Sequence, residues 1–236
     1  MVGSTPSTVT TAAGTGQRPR TRCARTKSPT LIRVTTVSRR EGSLLVAAVV
    51  VVLAWTGIAS RSLGTWALEV VWVFAGLALV LAYRRRFPLT RLVCWLLVGH
   101  AIVLCYGGQY TYAETPLGEW FQDLLDTDRN NYDRFAHVVQ GFVPALLVRE
   151  LLLRLTPLRQ GGWTFTLTTT VCVSVSVGFE LVEWAAALVL GAGADDFLGM
   201  QGDQWDTQWD MFLCLCGALA AQLLLRRVHD RQLGPR

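Results

Sequence analysis

Six apolar runs, each long enough to cross a hydrocarbon layer, constrain this chain more than any other feature of it. A helix needs roughly 20 residues to span about 30 Å of hydrocarbon. Candidate spans fall at about 43–60, 64–83, 89–107, 134–155, 163–190 and 207–225. Apolar types make up 51% of the 236 residues and charged types only 17%. A soluble domain of that size exposes more charge. The sequence therefore predicts an all-α, polytopic membrane helix bundle of about six transmembrane helices.

The loops carry a charge bias that orders the spans. One set of connections holds Arg84-Arg85-Arg86, then Arg149, Arg154 and Arg159, then Arg226, Arg227 and Arg231. The other holds Arg61 and two acidic segments, 108–131 and 191–206. With six spans the two sets alternate strictly. The positive-inside rule then places both termini in the cytoplasm and both acidic loops outside. Segment 115–126 is too short to span, and Leu117, Trp120, Phe121, Leu124 and Leu125 fall near one helical face. It reads as an interfacial helix on the outer leaflet.

The formal charge of +5 is unevenly spread. Eight of the 22 bases lie before residue 41, where there is no acid; the remaining 14 face 17 acids. The high pI thus belongs to a tail. No zinc-finger spacing or basic–aromatic interleaving accompanies it, so nucleic acid is not a partner. Residues 1–40, rich in Ser, Thr, Gly and Arg, read as a disordered basic tail. A membrane domain over 41–228 and a short cytoplasmic tail over 229–236 complete the organisation. Ser38-Arg39-Arg40 looks a little like a twin-arginine export signal, but Glu41-Gly42-Ser43 departs from it, and Leu44 to Ala59 is long for a signal core. A retained membrane helix is the preferred reading. The six cysteines form no C-x-x-C pair, and five lie in apolar runs, which suits small embedded hydrophobes.

Polar residues inside the spans carry the functional content, because charge in a bilayer faces a cavity or a partner. Asp133, His137 and Gln140 are spaced i, i+4, i+7 and share one face of the fourth span. Glu180 and Glu183 share a face of the fifth, Asp206 and Asp210 a face of the sixth, and His100 lies toward the outer end of the third. The topology sets all of them in the outer half of the bilayer. Several carboxylates there require protons, arginine, water or a cation. Arg134 is the nearest base, though it points elsewhere on its helix. Carboxylates with imidazole suit a divalent metal such as Zn, Mn or Mg. The predicted metal set is His137, Glu180, Glu183, Asp206 and Asp210, with His137, Asp133 and Glu183 as catalytic candidates. Each has a structural alternative. Asp203 suits an N-cap of the last helix with Asp206 at N3, Asp195 and Asp196 suit an ordinary loop, and a lone His suits an interhelical hydrogen bond. No P-loop, nucleophile elbow or zincin motif is present.

Several polar strings resemble the YjdF family of bacterial inner-membrane proteins. They run Gln109 to Gly118, with Tyr112 and Glu114; Arg129-Asn130-Asn131-Tyr132-Asp133; His137 with Gln140 to Ala145; and Arg149-Glu150. Glu180 to Trp184, Gly193 to Gly199 with Asp195 and Asp196, Gln201 to Thr207 with Asp203, and Asp210-Met211-Phe212 continue the likeness. It covers roughly residues 65–225 and implies a multi-pass protein of the bacterial plasma membrane, without supplying a reaction. A fainter likeness to VanZ-type membrane proteins rests on Asp133 with His137, an acid in the next helix, and Asp210 ahead of Gly217-Ala218. It implies a role in the cell envelope. Three functions stay open: a metal-dependent enzyme acting on a lipid or lipid-linked headgroup, a structural or partner-binding membrane protein, and a cation or proton transporter.

Overall fold

The computed structural model describes residues 34–190 and 201–234. Seven helices account for nearly all of them: α1 Arg39–Ile58, α2 Leu63–Tyr83, α3 Arg91–Gln109, α4 Pro116–Leu125, α5 Tyr132–Leu155, α6 Gly162–Leu190 and α7 Asp206–Leu233. There is no strand among the described residues, only an isolated bridge between Thr36 and Thr90.

Four of the helices start on a hydroxyl cap. Ser38, Ser62, Thr90 and Thr115 each accept a hydrogen bond from the backbone N–H three residues on. Such caps satisfy donors that the first turn leaves free. Pro116 follows Thr115 at the first helical position of α4, where a missing N–H costs nothing.

Five helices, α1, α2, α3, α6 and α7, are long and apolar enough to cross a membrane. The 24-residue α5 is also long enough, but Asp133, Arg134, His137, Arg149, Glu150 and Arg154 lower its apolarity. It is correspondingly the helix with the most buried positions among the described residues, shielded by its neighbours rather than by lipid. The outward surfaces of α1, α2 and α6 carry exposed apolar side chains such as Val51, Trp72, Val175 and Leu181. In a membrane protein that surface is the lipid contact.

The bundle is built around α3 and α5. Val49, Leu53, Val70, Val73, Ala101 and Cys105 form one core among α1, α2 and α3. Val93, Ala145, Leu146, Cys172, Ala218 and Ala221 form another among α3, α5, α6 and α7. The most extensive packing is between α5 and α7. There Gly141 lies against the Cys214 carbonyl and Gly217 against the Val138 carbonyl, so closely that neither position has room for a Cβ. Small residues let membrane helices approach to backbone contact.

Some boundaries differ from the sequence reading. The helical region begins at Arg39, inside the stretch read as tail, because Ser38 caps it. Ahead of it, Thr35 donates its N–H to the Gln232 carbonyl and accepts from Arg91 N–H. At the other end α7 continues to Leu233, through residues read as a tail, with His229 and Leu233 buried. The earlier part of the tail lies outside the described residues. Helix α4 matches its expected span, and Leu117, Trp120, Phe121, Leu124 and Leu125 are all exposed, leaving its apolar face uncovered by protein.

Candidate functional site

A cavity of about 390 Å³ opens among α2, α3, α5, α6 and α7. Helix α5 contributes Asp133, His137, Gln140 and Pro144 to its wall. The first three share a face because they recur at helical spacing. Pro144 has no N–H for the Gln140 carbonyl, so that carbonyl loses its helical partner beside the cavity. Asp210 enters from α7, Glu183 from α6 and His100 from α3. Tyr112, in the loop after α3, lines it as well; burial holds its phenol well above the usual range, so it remains a neutral donor.

Asp133, His137 and Asp210 converge. His137 Nε2 lies 3.6 Å from Asp133 Oδ1 and 3.8 Å from Asp210 Oδ1. One ligand atom from each of the three residues falls within 4.8 Å of the other two. Neighbouring ligands of a tetrahedral zinc are roughly 3.3 Å apart, from bond lengths near 2 Å. The triad is therefore close to coordinating distances with only small side-chain adjustment. Both His137 and Asp210 are buried, at 5% and 4% exposure. His137 Nδ1 and Asp210 Oδ1 have no hydrogen-bond partner among the described residues. Buried polar atoms are normally paired, and these two lack a partner from the described part of the protein.

The remaining predicted site residues separate into distinct groups. Asp206 is turned to Arg129, whose Nη1 donates to its Oδ1 at 2.6 Å. Arg134 donates to Asp203 at 2.6 Å and stacks over Trp209. Asp203 does not cap the last helix. That helix starts at Asp206 with no side-chain cap, and Asp203 instead accepts from the Trp205 N–H. Glu180 is buried, with Oε1 unpartnered among the described residues. Asn130 clamps the loops: its Nδ2 donates to the Thr115 carbonyl, its Oδ1 accepts from Thr115 Oγ1, and its backbone exchanges bonds with the Gln201 amide. Asn131 donates to Thr127, and Glu114 pairs with Arg61. Asp195 and Asp196 lie outside the described residues.

Two participants escaped the sequence reading. Glu69 on α2 is buried and lines the cavity. Its signal was legible, since a lone acid in an apolar span is a functional candidate by default. Arg129 was missed because it precedes the span rather than lying in it. It is the base that compensates Asp206.

Comparison with known proteins adds the following. Residues 42–231 match the family described as "Predicted membrane protein (DUF2238)". The chain belongs to this family. It is 49% identical over 182 residues to "Inner membrane protein YjdF" of Escherichia coli (strain K12), covering 77% of this chain and 87% of that protein. No solved structure matches. The apolar helices, the family and the relative together establish a multi-pass inner-membrane protein.

Proposed function

We propose that this membrane protein holds a divalent cation at Asp133, His137 and Asp210 and acts on the headgroup of an amphiphilic substrate in the outer half of the bilayer. The observation that carries the reading is the triad itself: three ligand atoms within 4.8 Å, lining a cavity, with His137 and Asp210 buried and Asp210 Oδ1 without a hydrogen-bond partner among the described residues. A divalent ion there would polarise an ester or phosphoryl oxygen and make bound water more acidic. Glu183 and His100, which share the cavity, are the groups placed to accept a proton from that water.

This reading takes the chain as crossing the membrane six times, with α5 included and both termini in the cytoplasm. Asp133, Asp210, Glu69 and Glu183 then lie toward the outer face, and α4 rests on the outer leaflet through its exposed apolar side chains.

A transport path is less well supported. Between the cavity and the opposite ends of α5 and α7 lies the apolar layer of Val93, Ala145, Leu146, Cys172, Ala218 and Ala221. A purely structural role leaves the buried Asp210 Oδ1, 3.8 Å from His137 Nε2, without a hydrogen bond among the described residues.

The deciding measurement is metal content of the purified protein by elemental mass spectrometry. Near-stoichiometric metal is expected, lost in His137→Ala and Asp210→Asn but kept in Asp206→Asn, because Arg129 already engages Asp206. Absence of metal from the wild type, with the two triad variants melting earlier, would make the triad a packing network.

A further inference from the structure

The cavity has a mouth, and the mouth opens at mid-depth in the membrane. Trp72 and Val175 both line the cavity, yet they are 49% and 56% exposed. A residue that does both stands at an opening. Trp72 lies on α2, roughly 14 Å along the axis from that helix's nearer end at 1.5 Å per residue. Val175 lies on α6, roughly 20 Å from its nearer end on the same rise. Both are therefore at hydrocarbon depth whichever way the chain is oriented. Helix α2 packs on α3, and α6 packs on α5 and α7, but α2 and α6 do not pack along each other. What spans the gap is a ring pair, Trp72 against Phe179, with centroids 6.1 Å apart. Gly178, exposed in the same wall, has open space where a side chain would begin.

The acids sit elsewhere in depth. Glu69 is in the second turn of α2, Asp133 in the first turn of α5, Asp210 in the second turn of α7 and Glu183 about two turns before the end of α6. All four are nearer one membrane face than the mouth is. No Lys or Arg lines the cavity among the described residues. The polar end is thus a carboxyl-lined pocket near the interface, and the apolar opening is a slot nearer the bilayer centre. A membrane lipid has the same order of parts: headgroup at the interface, chain toward the centre.

We infer that the gap between α2 and α6 is a lateral entrance through which a phospholipid with a primary-amine headgroup enters from the leaflet. Its chain remains in the slot beside Trp72, Val175 and Gly178. Its ammonium is held by Glu69 and Glu183, and its phosphate meets the cation at the triad. The phosphate contact rests on the metal reading above; the entrance and the ammonium contact do not. The group beyond the phosphate meets Glu69 and Glu183 and, among the described residues, no Lys or Arg, which selects an amine over an uncharged or anionic headgroup.

The test uses the full chain in nanodiscs with a phosphatidylethanolamine carrying a diazirine in its acyl chain, and maps adducts by peptide mass spectrometry. Adducts are expected to concentrate around Trp72 and Val175, and excess phosphatidylethanolamine should displace them while phosphatidylglycerol does not. Gly178→Trp, which fills the slot, should lower labelling about tenfold or more. It should leave the melting temperature and metal content at wild-type values. If Gly178→Trp does not fold, Val175→Trp takes its place. Labelling spread evenly over the lipid-facing surfaces of α1, α2 and α6, equal competition by phosphatidylglycerol, or undiminished labelling of a folded slot-filling variant would each overturn the proposal. Metal content is read on the same samples. A metal-free protein that still shows the mapped, amine-selective labelling would therefore remove the triad's cation and leave the entrance standing.

Discussion

His137 Nε2 on α5 lies 3.8 Å from Asp210 Oδ1 on α7, and the contact depends on two glycines further along the same helices. Gly141 is one turn beyond His137, and Gly217 is two turns beyond Asp210. Each lies against the other helix's backbone, and this close approach sets the distance between the two functional faces.

Gly217→Val is therefore expected to disrupt the α5–α7 interface. A Cβ there meets the Val138 carbonyl and the Phe142 N–H, both backbone groups that cannot rotate away. The loss should reach at least about 3 kcal/mol, the upper end for overpacking. Thermal unfolding in detergent should show a lowered Tm. A Tm equal to wild type would mean that the helices do not cross this closely.

Arg129→Gln should be destabilising for a different reason. Arg129 lies 2.6 Å from Asp206 and 3.5 Å from Asp203, and it is largely buried. Its removal leaves the buried Asp206 without its partner, a loss of roughly 3–5 kcal/mol for a broken buried pair. Adding Asp206→Asn should recover part of that loss, which a double-mutant cycle would measure. Additive single effects would contradict the pairing.

A second polar network, remote from the cavity, makes a useful contrast. Glu150 is fully buried and accepts from Thr90 N–H, Thr90 Oγ1 at 2.7 Å and Arg154 at 2.6 Å, with His229 Nε2 at 3.2 Å. Arg149 reaches His229 Nδ1 at 3.1 Å and Asp230 at 2.6 Å. Unlike the triad, this carboxylate is fully engaged, which is the signature of a structural network. Glu150→Gln should lower stability by roughly 3–5 kcal/mol. Metal content, measured on the folded fraction, should not change.

The six-span orientation predicts where reporters become active. A cytoplasm-active fluorescent fusion after Gly234 should fluoresce, and an externally active phosphatase inserted in the acidic 119–128 region should be active. The reverse pair of results would invert the topology and place the acid pocket on the cytoplasmic side.

Much of this protein was legible along the chain, because the bilayer imposes strong one-dimensional rules. Apolar length marked the spans, and the structure adds the hydroxyl caps that bound several of them. The i, i+4, i+7 spacing put Asp133, His137 and Gln140 on one face before any packing was known.

What only the tertiary structure decided was which polar groups share an environment. Asp206 and Asp210 lie on one face of α7, yet Arg129 takes the first while the second joins His137 in the cavity. Glu69 stands out in α2 as a lone acid, but its place in the cavity comes from the packing of α2 on α3. Helical periodicity fixes the direction of a side chain about its own axis. It does not say which helix stands opposite, or how close. That depends on where small residues such as Gly141 and Gly217 let two backbones meet, and such contacts exist only once the helices have packed.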